Sequence, residues 1–375
     1  MQNTLRHTLW IGLWILASCS PLSETPAPPH TQPPPAPVTL TPFQPSGLIP
    51  ANPPAGYGAH GPWLDLYFTD PTNPLSAQET GGLDGILANS IDSARLSVDV
   101  AIYNLTNNVI CDALIRAYQR GVQVRVVMES DNRDQDDPQR LMDAGITVLG
   151  DRREGLMHNK FVIIDRSEVW TGSMNFTNSG IYKDNNNMLL IRSVKMAENY
   201  TTEFEEMFVG DKFGPDIVPA TPHTTLTIDK TVLETYFAPD DAPVFSLLPL
   251  LQNAQKSIYF LAYSFTSDPL GEAIRSRAAE GVTVAGVMDA EQIQSNIGTE
   301  YDLFQQAGLD VRPDGNSGLM HHKVIIIDEE IVVTGSYNFT NSAETRNDEN
   351  LVVIYDQQVA DYFLQEFQRV LAQAQ

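Results

Sequence analysis

The sequence predicts two α/β lobes, each a β-sheet flanked by helices, related to one another by a pseudo-twofold. Three observations predict it. The chain repeats itself, short aliphatic runs alternate with amphipathic stretches inside each repeat, and those runs are apolar on both faces. "YFTDP" at 67–71 is answered by "YFAPD" at 236–240, and "RGVQVRVVMES" at 120–130 by "EGVTVAGVMDA" at 280–290. The closing stretches match too, "NYTTEFEEMF" at 199–208 with "DYFLQEFQRVL" at 361–371. Such correspondences mean one unit used twice.

Within the first unit, residues 97–103, 122–128, 161–164 and 188–191 are β-branched and aliphatic, which predicts strands. Residues 108–120, 138–144 and 194–208 carry helical apolar spacing, and the first two stop at Gly121 and Gly145. Strands without a polar face need cover on both sides, hence helices above and below the sheets. The lobes are expected over 61–218 and 219–375. The periodicity leaves parallel and mixed sheets both open.

The chain begins differently. "MQNTLRHTLWIGLWILASCS" has a basic start at Arg6 and an apolar run over 9–17, too short to span a bilayer as a helix. Leu16-Ala17-Ser18-Cys19 resembles the lipobox of bacterial lipoproteins. That resemblance implies a signal peptide over 1–19, a lipidated Cys19, and an exported protein anchored to a membrane of the cell envelope; an ordinary signal peptide is the alternative. Residues 20–60 are proline-rich with a single charge, Glu24, and are expected to form an extended tether without helix or sheet.

Apolar content of 42% with 19% charged residues is enough to bury a core, but the net charge of −24 is unusual. It works against non-specific binding of polyanions such as bulk DNA, although a local basic cleft is compatible with it. Cys19 and Cys111 are the only cysteines. With Cys19 lipidated no disulfide forms, and Cys111 has the helical spacing of a buried structural thiol.

The chemistry concentrates in a doubled motif. "MHNKFVIID" at 157–165 and "MHHKVIIID" at 320–328 each set His-x-Lys before four apolar residues and an aspartate. The i, i+2 spacing puts His158 with Lys160, and His321 with Lys323, on one side of a strand. Gly172-Ser173-Met174-Asn175 and Gly335-Ser336-Tyr337-Asn338 follow at the same offset. Glycine permits close backbone approach, and Ser and Asn add donors. If the pseudo-twofold brings both sets together, one cleft holds two imidazoles and two ammoniums, a phosphate-binding arrangement. His322, His223, His60, His30 and His7 lack that support and are expected to face solvent. The acidic run at 129–137 is expected to be a solvated loop, and no cysteine, histidine or carboxylate spacing indicates a metal site.

H-x-K-x4-D followed by G-S-x-N, twice in one chain, resembles the phospholipase D superfamily across both lobes. The second copy, "TGSYNFTNSAETRNDEN", is similar to its short endonuclease-like branch. The resemblance implies two phospholipase D-like lobes and metal-free, cofactor-free cleavage of a phosphodiester through a phosphohistidine. It makes His158, Lys160, Asp165, His321, Lys323 and Asp328 motif members, with the two aspartates pairing structurally outside the phosphate pocket. Ser173, Asn175, Ser336 and Asn338 would position the histidines or the phosphate. Glu349 matches the family's histidine-binding carboxylate, and Asn186 stands at its place in the first copy. On that basis Glu349 is expected beside His321 as general acid and Asn186 beside His158 as nucleophile, with Asp184 an alternative orienter. A lipid anchor and an acidic surface favour phospholipid hydrolysis. A nuclease, a phosphatidyltransferase and a non-catalytic scaffold binding an anionic partner are the other readings.

Overall fold

The computed structural model describes residues 47–216 and 218–375; the expected signal peptide, Cys19 and most of the tether lie outside them. The first sheet contains β1 (Ile49–Ala51), β2 (Gly56–His60), β3 (Leu64–Thr69), β4 (Ser97–Ile102), β5 (Gln123–Met128), β6 (Thr147–Gly150), β7 (Lys160–Ile164), β8 (Glu168–Gly172) and β9 (Asn187–Arg192). Their order is β1-β2-β3-β9-β8-β7-β4-β5-β6. The second contains β10 (Thr225–Ile228), β11 (Thr231–Ala238), β12 (Ser257–Ala262), β13 (Thr283–Met288), β14 (Asp310–Pro313), β15 (Lys323–Ile327), β16 (Ile331–Gly335) and β17 (Glu349–Tyr355). Its order, β10-β11-β17-β16-β15-β12-β13-β14, repeats the first.

Both sheets are mixed. β4-β5-β6 and β12-β13-β14 run parallel, because a crossover helix separates β4 from β5 (Asn108–Gln119) and β12 from β13 (Asp268–Ala279). The remaining pairs are antiparallel, and three residues join β7 to β8 and β15 to β16. Those turns need two left-handed residues, supplied by Asp165-Arg166 and Asp328-Glu329.

The expectation that the whole proline-rich stretch avoids sheet is corrected at its end. β1 and β2 extend the first sheet, and the prolines fit because Pro50 lies on the outermost strand and Pro53 and Pro54 lie between strands. The central core draws on both sheets and on the helices Val194–Phe208 and Gln357–Gln373. Tyr200 packs edge-on against Phe237 at 5.1 Å, and Phe68 against Phe363 at 5.0 Å, so aromatic contacts tie each lobe to the other. Separate cores fill the outer face of each sheet. No described helix is long and apolar enough to cross a membrane. Cys111 is buried against the Asp137 carbonyl, and burial pushes its thiol up to about 12.

Candidate active site

The site forms where β7 and β15 begin. Each His-x-Lys segment enters its strand just after a hydrogen bond to the other lobe: His158 N donates to Asp348 O, and His321 N to Asn185 O, both at 3.0 Å. This crossing corrects the expected partnership of the histidines. His158 Nδ1 lies 2.7 Å from Glu349 Oε2, and His321 Nδ1 lies 2.9 Å from Asn186 Oδ1. Glu349 therefore serves the histidine of the opposite half. The sequence order of histidine and orienter within a repeat hides this, because β9 and β17 each begin beside the other lobe's motif. Asp184 is not an orienter; its carboxylate accepts from Leu319 N at 2.9 Å.

The orienters are themselves held. Ser173 Oγ donates to Asn186 Oδ1 at 2.8 Å, and Ser336 Oγ to Glu349 Oε2 at 2.6 Å. Both hydroxyls are fully buried, so the serines position the histidines' partners. Asn186 Nδ2 donates to Gly180 O, which leaves Oδ1 as the acceptor facing His321 and fixes Nδ1 as the protonated nitrogen there. In both rings Nδ1 is taken, leaving Nε2 for chemistry. Gly172 and Gly335 are required at their places: a Cβ would meet Asn187 O at 2.3 Å and Asn350 O at 2.2 Å.

Lys160 and Lys323 are buried beside the histidines, each donating Nζ to the carbonyl of its own motif histidine, at 2.6 and 2.7 Å. Tyr103 and Tyr263, which the sequence reading missed, wall the site. Their rings pack edge-on against His158 and His321 at 5.1 and 4.8 Å, and lie 5.1 and 4.7 Å from Lys160 and Lys323 Nζ. The signal was present as the tyrosine that directly follows β4 in "AIYNLT" and β12 in "LAYSFT". Glu129 and Asp289 were missed as well; they accept the N–H of Met157 and Met320 at 3.0 Å and so fix the start of each motif. The stretch 129–137 is thus not simply a solvated loop, because Glu129 and Asp137 are buried. Asn175 and Asn338 are half-buried, and their Oδ1 atoms have no partner.

Asp165 and Asp328 lie at the far ends of β7 and β15, about 16 Å along the strand from the lysines. Asp165 accepts from Arg95, Leu96 and Ser97 N, and Asp328 from Gln255, Lys256 and Ser257 N. They hold the turns that lead into β4 and β12. The expectation that His322 faces solvent is corrected: it is fully buried between Glu366 (2.7 Å) and Asn187 (3.0 Å). Asn159 takes the matching place in the first half, between Glu203 and Asn350.

Burial dominates the electrostatics. It pushes both imidazoles well below 6.5, and the charges of Lys160 and Lys323 add to that in both. It brings Lys160 down to about 7, against the pull of Glu349, and drives Lys323 lower as well, with help from Lys160. It raises Glu349 to about 8, against Lys160 and the donors Ser336 and Asn347. Burial thus favours the neutral form of every one of these groups in the free site, and an entering phosphate anion would favour protonation of the lysines and imidazoles.

Two stretches of the chain, 87–208 and 247–371, match the family described as cardiolipin synthase, PLD-like domain. A phospholipase D of Rickettsia typhi is 38% identical over 133 residues, covering 36% of this chain and 65% of that protein. The mitochondrial cardiolipin hydrolase of Canis lupus familiaris is 36% identical over 124 residues, covering 33% of this chain and 48% of that protein. The chain thus spans just under two thirds of the length of the first relative and about half of the second. Phosphatidylserine synthase of Haemophilus influenzae shares the fold at 13% identity, with a TM-score of 0.63 over 80% of this chain and 85% of that one.

Proposed function

The chain belongs to the phospholipase D-like family, and from that premise we propose that it is a phosphodiester hydrolase that cleaves phospholipids through a phosphohistidine. The observation that carries the reading is the crossed pair of imidazoles, each fixed at Nδ1 by the other half and set beside two lysines.

His158 Nε2 attacks phosphorus, the bond to the leaving oxygen breaks, and His321 gives that oxygen a proton. Water then attacks phosphorus, the bond to His158 Nε2 breaks, and the water's proton goes to His321. His158 remains the nucleophile in this scheme, for a reason other than a neutral partner. Phosphorylated at Nε2 and protonated at Nδ1, its ring is cationic, and the Glu349 carboxylate offsets that charge. His321 on a neutral amide makes a sharper acid. The lysines, with Asn175 and Asn338, would hold the non-bridging oxygens.

Two features favour a lipid. The net charge of −24 repels polyanions. A groove of about 760 Å³, lined by Pro219, Pro239, Ala242, Phe245 and Pro269, adjoins the loop that carries Asn338. Thr340 N in its wall donates to Asn338 O at 2.8 Å. Assay of the wild type, His158→Asn and His321→Asn on phosphatidylcholine vesicles and on single-stranded DNA, side by side, tests the reading. Release of phosphatidic acid that both substitutions abolish is expected; turnover of DNA alone would make the protein a nuclease.

A further inference from the structure

The internal duplication allows each half to be read against the other, and the two active-site histidines are held from behind in different ways. On each side of the site the chain makes the same short bridge. Asn185 N donates to Leu319 O at 2.8 Å, and Asn185 O accepts from His321 N at 3.0 Å. Asp348 makes the matching pair with Leu156 O and His158 N. Asn185 and Asp348 directly precede Asn186 and Glu349, the acceptors on the two imidazoles. Whatever fixes the bridge residue therefore fixes the acceptor that follows it.

On the His321 side an ion pair of the helix Gln357–Gln373 does this. Arg369 Nη2 donates to Asn185 Oδ1 at 2.7 Å and to Glu366 Oε1 at 2.8 Å, and Nε donates to Glu366 Oε2 at 2.8 Å. Glu366 Oε1 also lies 2.7 Å from Nε2 of His322, the residue after His321. Tyr57, on β2, closes the group by donating to Glu366 Oε2. Asn185, His322 and Glu366 are fully buried. One guanidinium–carboxylate pair thus anchors the residue before Asn186 and the residue after His321. The planar fork of an arginine suits this, since it donates in fixed directions to two acceptors at once.

On the His158 side no such clamp exists among the described residues. The helix Val194–Phe208 carries Glu203 and Glu206 where Glu366 and Arg369 stand. Asp348 Oδ1 accepts from the backbone N–H of Gly214 instead, and Asn159, the counterpart of His322, reaches Glu203 only at 3.3 Å. The difference matches the acceptor each ring has. Glu349 offers His158 a charged oxygen, and a charge-assisted hydrogen bond is the stronger kind. Asn186 offers His321 a neutral amide, whose weaker bond depends on being placed at the right distance and angle by its surroundings.

We propose that Arg369 is a positioning residue for the general acid: paired with Glu366, it holds Asn185 and His322 and so keeps Asn186 Oδ1 on His321 Nδ1, leaving Nε2 to carry the transferred proton. The proposal rests on the phosphodiesterase reading above. Arg369 makes no hydrogen bond to either active-site histidine among the described residues and acts only through its two partners. The clamp also gives β2 a part in the site, because Tyr57 shares the carboxylate that Arg369 holds.

Two variants of the full chain test it. Arg369→Met removes the clamp; Asn185→Leu removes one acceptor, leaves the Arg369–Glu366 pair in place, and decides if Arg369→Met does not fold. The first readout is nitrogen NMR of histidine-labelled protein, with His321→Asn assigning the signal. The wild type should hold His321 as the Nδ1–H tautomer, and both variants should lose that preference while His158 keeps its own. The second readout compares leaving groups. Choline release from phosphatidylcholine, whose alkoxide needs a proton, should fall about 10-fold or more in both variants. First-turnover release of p-nitrophenolate from bis(p-nitrophenyl) phosphate, which needs none, should stay near the wild-type rate. An unchanged His321 signal in Asn185→Leu, or an equal loss on the two esters, overturns the proposal. A wild type that cleaves neither ester overturns the functional reading instead, and the His321 tautomer alone then decides the positioning.

Discussion

At His158 and His321 the two halves have diverged in the side chain that holds Nδ1, a glutamate carboxylate against an asparagine carboxamide, and in the proposed mechanism that difference carries the division of labour. Glu349→Gln keeps an acceptor on His158 Nδ1 but removes the charge that offsets the phosphorylated ring. A loss of about 10²-fold in kcat is expected, with little change in KM, read by steady-state kinetics. Asn186→Asp adds a carboxylate beside His321, raises its proton affinity, and should shift the limb of the pH profile that His321 controls to higher pH. The lysines set a second limb. Lys160 titrates at about 7 because burial lowers it, so its charge is complete in mild acid and is lost as pH rises through neutrality. The kcat/KM profile should therefore fall above about pH 7. Lys160→Arg, whose charge does not titrate there, should lack that limb whatever its absolute rate.

The strands β7 and β15 separate chemistry from architecture along their own length. Their first residues, the lysines, face the site; the aspartates after their last residues tie down the backbone of 95–97 and 255–257. Burial raises Asp328, but three backbone N–H donors outweigh it and hold the carboxyl below 3.8. A lowered folded value means the stabilisation is present at neutral pH and lost in acid. Asp328→Asn should cost about 1–3 kcal/mol in chemical denaturation while kcat stays at the wild-type level. Most elements were legible from the sequence because their aliphatic runs and glycine stops are unambiguous; the helix Val194–Phe208 has the bounds its spacing predicts. β1 and β2 were not, since proline content masks a strand at a sheet edge. His322 was misread because nothing local distinguishes a buried, paired imidazole from an exposed one.

The molecule works only as both lobes together. The side-chain hydrogen bond on Nδ1 of each active-site histidine crosses between them, and so does the central core. Repeats and motifs disclosed that two sets of residues exist; they could not disclose which set serves which, since exchange between pseudo-equivalent partners leaves the sequence pattern unchanged. We propose that lipidation at Cys19 anchors the protein and holds the site beside its substrate. Two or more acyl chains anchor a protein stably. Cys19→Ser is expected to move the protein from the membrane fraction to the soluble one on fractionation, with vesicle hydrolysis by the purified protein intact.

The central claim is that imidazoles from the two halves act on a single phosphorus, with His158 forming the covalent bond. Acid- or base-quenched turnover of a phosphorus-labelled substrate, followed by peptide mapping, tests it most directly. Label on His158, removed by His158→Asn and accumulating in His321→Asn when the leaving group needs no proton, is the predicted result. Label on His321, or turnover with no phosphohistidine at either position, would contradict the account.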